Sequence, residues 1–112
     1  MSESILRNKS KEFAKSIVLL CRLLREKNVE YALTDQLLRC RTSVCANIHE
    51  AQYAQGTKDF ISKLEIALKE CNESEYWLTL LFEAGNLYKV DYDNFQNKCV
   101  ELCIMLVSSV KK

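Results

Sequence analysis

The chain has 112 residues, no proline, two glycines and a net charge of +1. So even a charge balance excludes the strongly basic kind of dedicated nucleic-acid binder, and so few turn-forming residues exclude a sheet with many tight connections. With 48% apolar and 28% charged residues, residues 1–112 make one globular domain, long enough to bury a core without staples.

The first helix is expected from about Ser4 to Glu26. Phe13, Ile17, Leu20 and Leu24 recur at helical steps and share one face. Ala14, Val18 and Cys21 widen that face. Arg7, Lys11, Lys15, Arg22 and Arg25 occupy another face. Asn28 suits the stop, because asparagine tolerates the left-handed conformation that ends helices.

The second helix is expected from about Leu33 to Ala54, capped by Thr34 or Asp35. Leu37, Cys40, Val44, Ile48 and Ala51 form its apolar stripe. One position earlier runs a polar stripe of Gln36, Arg39, Ser43, Asn47 and Glu50. Successive residues differ by about 100° around a helix. The polar stripe therefore borders the core instead of opposing it.

Gly56 is expected to end that helix, with Thr57 capping the next and Asp59 in its first turn. The third helix continues to about Phe82, with Phe60, Leu64, Ala67, Cys71, Leu78 and Leu81 inward and Ser74 among them. Gly85 and Asn86 close it or the loop after it. Asp91 caps a fourth helix from about Tyr92 to Ser109, where Phe95, Cys99, Leu102 and Leu106 form one stripe and Val100, Cys103 and Val107 its neighbour. Four amphipathic helices with short links predict an all-α fold, an up-down-up-down antiparallel four-helix bundle. Ile61, Leu68, Tyr76, Trp77 and Leu80 extend the third helix beyond one apolar face. That surplus favours self-association.

Met1-Ser2-Glu3-Ser4-Ile5 lacks the basic-then-apolar pattern of a secretory leader. No apolar run approaches the roughly 20 residues of a membrane span. A cytoplasmic protein with no membrane contact is the expectation. The six cysteines form no CxxC pair, so reduced core thiols are expected instead of disulfides or a metal site.

The polar stripe of the second helix is the strongest candidate for a site. As a structural network, Arg39 pairs with Glu70 or Glu73, while Asn47 and Glu50 bond to neighbouring helices or a second subunit. Such a network specifies register and assembly. As a ligand site, Arg39 and Arg41 would hold a phosphate or another small anion. Glu50, Glu70 and Glu73 do not make a di-iron centre, because that needs Glu-x-x-His on two helices and His49 is the only histidine. Cys45 and His49 stand one turn apart, yet backbone donors for an oxyanion are used up inside a helix. No catalytic residue, cofactor or metal ligand is assigned.

At the second helix the chain resembles a known family. Gln36-Leu37-Leu38-Arg39-Cys40-Arg41-Thr42-Ser43-Val44-Cys45-Ala46-Asn47-Ile48-His49-Glu50 is similar to the signature Q-L-x-R-A-x-x-S-I-x-x-N-I-x-E-G of the bacterial four helix bundle proteins, named for ribosomal-RNA intervening sequences. Gln36, Leu37, Arg39, Ser43, Asn47, Ile48 and Glu50 match it. Asp59 to Glu70 and Glu73 to Leu78 also look like the family. Cys45 stands where many members have proline and Ala51 where many have glycine, so helix two should be straighter and end differently.

The resemblance implies up-down bundles assembled as rings of five. A related branch, the accessory variability determinant of diversity-generating retroelements, is a basic pentamer that binds nucleic acid. This chain lacks that strong basicity. Two expectations follow. The first is a non-enzymatic homo-oligomer, a pentamer by resemblance, that binds RNA or DNA through Arg7, Lys11, Lys15, Arg22 and Arg25. The alternative is a structural or protein-interaction module without nucleic-acid binding, with Tyr76, Trp77 and Tyr88 as anchors.

Overall fold

A computed structural model describes residues 3–111, with side chains from residue 5 onward; Met1 and Ser2, read above for a leader pattern, lie outside the described residues. Four helices follow one another: α1 (Glu3–Glu26), α2 (Tyr31–Ala51), α3 (Thr57–Glu83) and α4 (Lys89–Val110). The described residues contain no strand. α1 packs on α2, α2 on α3, α3 on α4 and α4 on α1, while neither diagonal pair of backbones meets. This is the up-down-up-down bundle, 45 × 22 × 19 Å. None of the described helices is long and apolar enough to cross a membrane.

The inward faces are those the periodicity predicts. Phe13, Ile17, Leu20 and Leu24 of α1 are buried, as are Leu37, Cys40, Val44, Ile48 and Ala51 of α2. α3 contributes Leu64, Ala67, Cys71, Leu78 and Leu81, and α4 contributes Cys99, Leu102 and Leu106. Each fully buried large aliphatic side chain stabilises the bundle by about 1.5–3 kcal/mol. The seam between α1 and α4 is the thinnest of the four.

The ends of α1 and α3 share one closure. Val29 N–H donates to the Leu24 carbonyl at 3.0 Å and Asn28 N–H to that of Arg25 at 3.1 Å. Asn86 N–H and Gly85 N–H do the same to Leu81 and Phe82, at 2.9 and 3.0 Å. Asn28 and Gly85 hold the positive φ this turn requires, 63° and 85°.

The expected caps need correction. α2 begins at Tyr31, so Thr34 and Asp35 lie within it. The tight closure of α1 reverses the chain in four residues, and the new helix can start at once. Thr34 is buried, donating to the Tyr31 carbonyl at 3.0 Å and accepting from Arg25 Nε at 3.1 Å. α2 stops at Ala51, and Gly56, at φ 132°, precedes α3 as its N-cap instead of ending α2. Thr57 is the first residue of α3, and Asp91 lies in the first turn of α4, where its charge still suits the helix N-terminus.

Candidate functional site

The polar stripe of α2 follows the α2–α3 seam. Arg39 reaches Glu70 at 3.4 Å and Glu73 at 3.8 Å, the pairing the sequence predicts. Gln36 accepts from Arg39 Nε at 3.3 Å. Glu50 meets Lys63 of α3 at 3.5 Å. Asn47 departs from expectation: its amide donates to the Ser43 carbonyl at 2.9 Å, within its own helix. The side chain of Arg39 is 49% exposed, so the stripe is a wet clasp between helices, not a buried network.

Arg41 is placed quite differently. It is wholly buried, its guanidinium 4.0 Å from the centre of the Phe13 ring. Nη1 lies 3.6 Å from Cys71 Sγ and 3.9 Å from Cys99 Sγ. The side chain thus starts on α2 and touches α1, α3 and α4. Nε and Nη2 are buried without a partner. An anion site shared by Arg39 and Arg41 is therefore overturned, since one arginine faces the surface and the other fills the core. The signal was present in the pattern: Arg41 stands four after Leu37 and three before Val44, both core positions.

Cys71, Cys99 and Cys103 form a cluster, the first two against that guanidinium, with their sulfurs all within 4.8 Å of one another. Cys103 Sγ is 2.9 Å and Cys99 Sγ 3.8 Å from Cys71 Sγ. The Cys71 thiol is held far below the usual thiol range, first by hydrogen bonds from Cys103 and Cys99 and then by the Arg41 charge, against burial. Cys99 and Cys103 are pushed up, each first by a hydrogen bond within the trio. The contacts that favour the charged form of Cys71 thus favour the neutral forms of Cys99 and Cys103. Sequence reasoning missed this group. Its one visible signal was the single-turn spacing of Cys99 and Cys103.

The basic face of α1 is shorter than predicted. Arg7 bonds to Gln52, the residue that follows α2. Arg25 bonds to Thr34 and lies 4.1 Å over the Tyr31 ring. Lys11, Lys15 and Arg22 are exposed, and their side chains make no hydrogen bond or ion pair among the described residues. At 100° per residue these three fall within about 40° of one another, opposite Ile17.

Cys45 and His49 form no bonded pair; His49 is exposed and packs edge-on against Tyr53, 5.4 Å between centroids. Tyr76 and Tyr88 are exposed, whereas Trp77 is half-buried. A shallow apolar groove crosses the outside of α4, lined by Ile5, Val100, Ile104 and Met105 and bordered by the Lys9–Glu101 ion pair. Leu19 and Leu23 of α1 and Val90 of α4 are exposed as well.

The family model of the 23S rRNA-intervening sequence protein matches residues 2–108. A crystal structure of a protein of unknown function from the S23 ribosomal protein family of Bacteroides thetaiotaomicron is 42% identical, with a TM-score of 0.96 over the whole of both chains. No curated protein matches the chain. Neither the family description nor that of the solved relative names a catalysed reaction. From the match over nearly the full length and a relative of the same fold at this identity, the chain belongs to the 23S rRNA-intervening sequence protein family.

Proposed function

We propose that this protein is a non-catalytic homo-oligomeric subunit whose assembled surface holds RNA or DNA. The observation that carries the reading is the apolar surface on α4 and the neighbouring edge of α1. Ile5, Leu19, Leu23, Val90, Val100 and Ile104 are all exposed there. A bundle helix normally leaves its outer face polar, and a second copy is the occupant such a face suits. The resemblance to ring-forming bundles supports five copies. Each copy would present Lys11, Lys15 and Arg22 on the outermost line of α1, and repetition around a ring turns a modest charge into a larger field.

Light scattering on a gel-filtration column measures the assembly, and a monomer at micromolar concentration rejects it. Labelled RNA and DNA should shift at low salt and be released as salt rises, because the contacts are to phosphates. Removing one such contact should lower the log–log salt slope by about 0.9. No shift at low salt rejects the nucleic-acid part.

A protein-partner role is the second reading. It draws on Tyr76, 61% exposed and stacked edge-on against Trp77, beside a surface groove that includes Leu68. A stable protein partner recovered without nucleic acid favours it.

A further inference from the structure

We propose that Cys71, Cys99 and Cys103 form a binding site for a divalent thiophilic cation of the zinc or cadmium class, with Arg41 as its fixed counter-charge.

The spacing is that of ligands around one ion. Metal–sulfur bonds of about 2.3 Å put three coordinating sulfurs roughly 4 Å apart. Here Cys71 and Cys99 are 3.8 Å apart and all three sulfurs lie within 4.8 Å. Cys103 Sγ stands closer, 2.9 Å from Cys71 Sγ, and has to move outward to share an ion with it. Cys103 is half-buried and its sulfur lies 3.6 Å from Oδ1 of exposed Asn72. The Cys103 side therefore provides the way in, and Asn72 or a water completes the coordination.

Arg41 makes the second, independent argument, and it selects the charge of the ion. Its guanidinium cannot shed its proton, is wholly buried, and has two nitrogens without partners. No carboxylate pairs with it among the described residues. An uncompensated buried charge is costly, and the side chains touching it that can become anions are thiols. Three thiolates and one guanidinium leave two negative charges. A divalent cation brings the site to neutrality. A monovalent ion leaves it negative and a trivalent one leaves it positive. As each sulfur binds, its proton passes to the buffer, and no electron is transferred. Zinc and cadmium suit thiolates and impose no demanding geometry.

The test uses the full chain, reduced and freed of metal, titrated with cadmium chloride. A sulfur-to-cadmium charge-transfer band should rise in the ultraviolet and saturate at one ion per chain. The melting temperature should rise with it, and zinc should compete the band away. Cys103→Ser should lose both effects. Cys45→Ser, which removes a half-buried thiol outside the cluster, should keep both. If Cys103→Ser fails to fold, alkylation of the unaltered protein reports the same point, because cadmium should protect Cys103. Absence of a saturable band, a band that survives Cys103→Ser in folded protein, or unprotected Cys103 in saturating cadmium each overturns the site. So does a Cys71–Cys103 disulfide that persists in excess reductant and excludes the ion.

Discussion

Two arginines, two positions apart on one helix, separate what charge does at a surface from what it does in a core. Arg39 is half-exposed and shares Glu70 and Glu73. Water screens such a clasp, so Arg39→Ala should cost only about 1 kcal/mol, read from urea midpoints. Arg41 fills a space among Phe13, Cys71 and Cys99. Arg41→Ala leaves a cavity there and should cost about 2–5 kcal/mol. Arg41→Met, which keeps the volume, should cost less than about 1.5 kcal/mol by the same measurement. Two thiols outside the cluster set an alkaline limit. Burial pushes Cys21 up to about 11 and Cys40 up to about 12. Both fold as neutral thiols, so their contribution is complete below the ordinary thiol pKa and is lost as pH rises towards those values. Urea midpoints should fall between pH 9 and 11, and Cys21→Ala with Cys40→Ala should flatten that fall.

At the scale of the helix, termination follows from backbone chemistry. α1 ends where Asn28 turns left-handed at φ 63°, bringing Val29 back onto the core beside the Leu24 turn. A β-branched residue resists that conformation. Asn28→Val should lower stability by about 1–2 kcal/mol in thermal unfolding, whereas Asn28→Gly should stay within about 0.5 kcal/mol. The α3–α4 pair has its own lock. Gln96 of α4 donates to Thr79 at 3.0 Å and to the Glu75 carbonyl at 3.1 Å. Tyr92 stacks on Phe82, their centroids 4.4 Å apart. Periodicity shows which face of each helix is apolar, but it does not identify such partners.

At the scale of the molecule, the bundle closes weakly between α1 and α4 and leaves apolar side chains outside that seam. If copies meet there, Ile104→Glu should separate them, because a carboxylate cannot be buried cheaply against Ile5 and Val100. Ile104 is 65% exposed within one chain. The variant should therefore run as a folded monomer in light scattering, its helicity unchanged by circular dichroism. An oligomer that survives this substitution moves the interface elsewhere, towards the exposed aromatic side of α3.

The sequence by itself determined that there are four helices and which face of each turns inward, and it offered pairing from α3 as one of two readings of Arg39. These are matters of spacing along one helix, or between neighbours joined by a short link. Tertiary structure decided that Arg41 lies inside the core, that Arg25 turns from the basic face to α2 and that Arg7 turns to the residue just after it. It also gathered three cysteines, separated by up to 32 positions, into one cluster, two of them against a buried guanidinium. A side chain's neighbours depend on how helices rotate about their axes when they pack. That rotation is fixed by all four helices together, and no single helical period contains it.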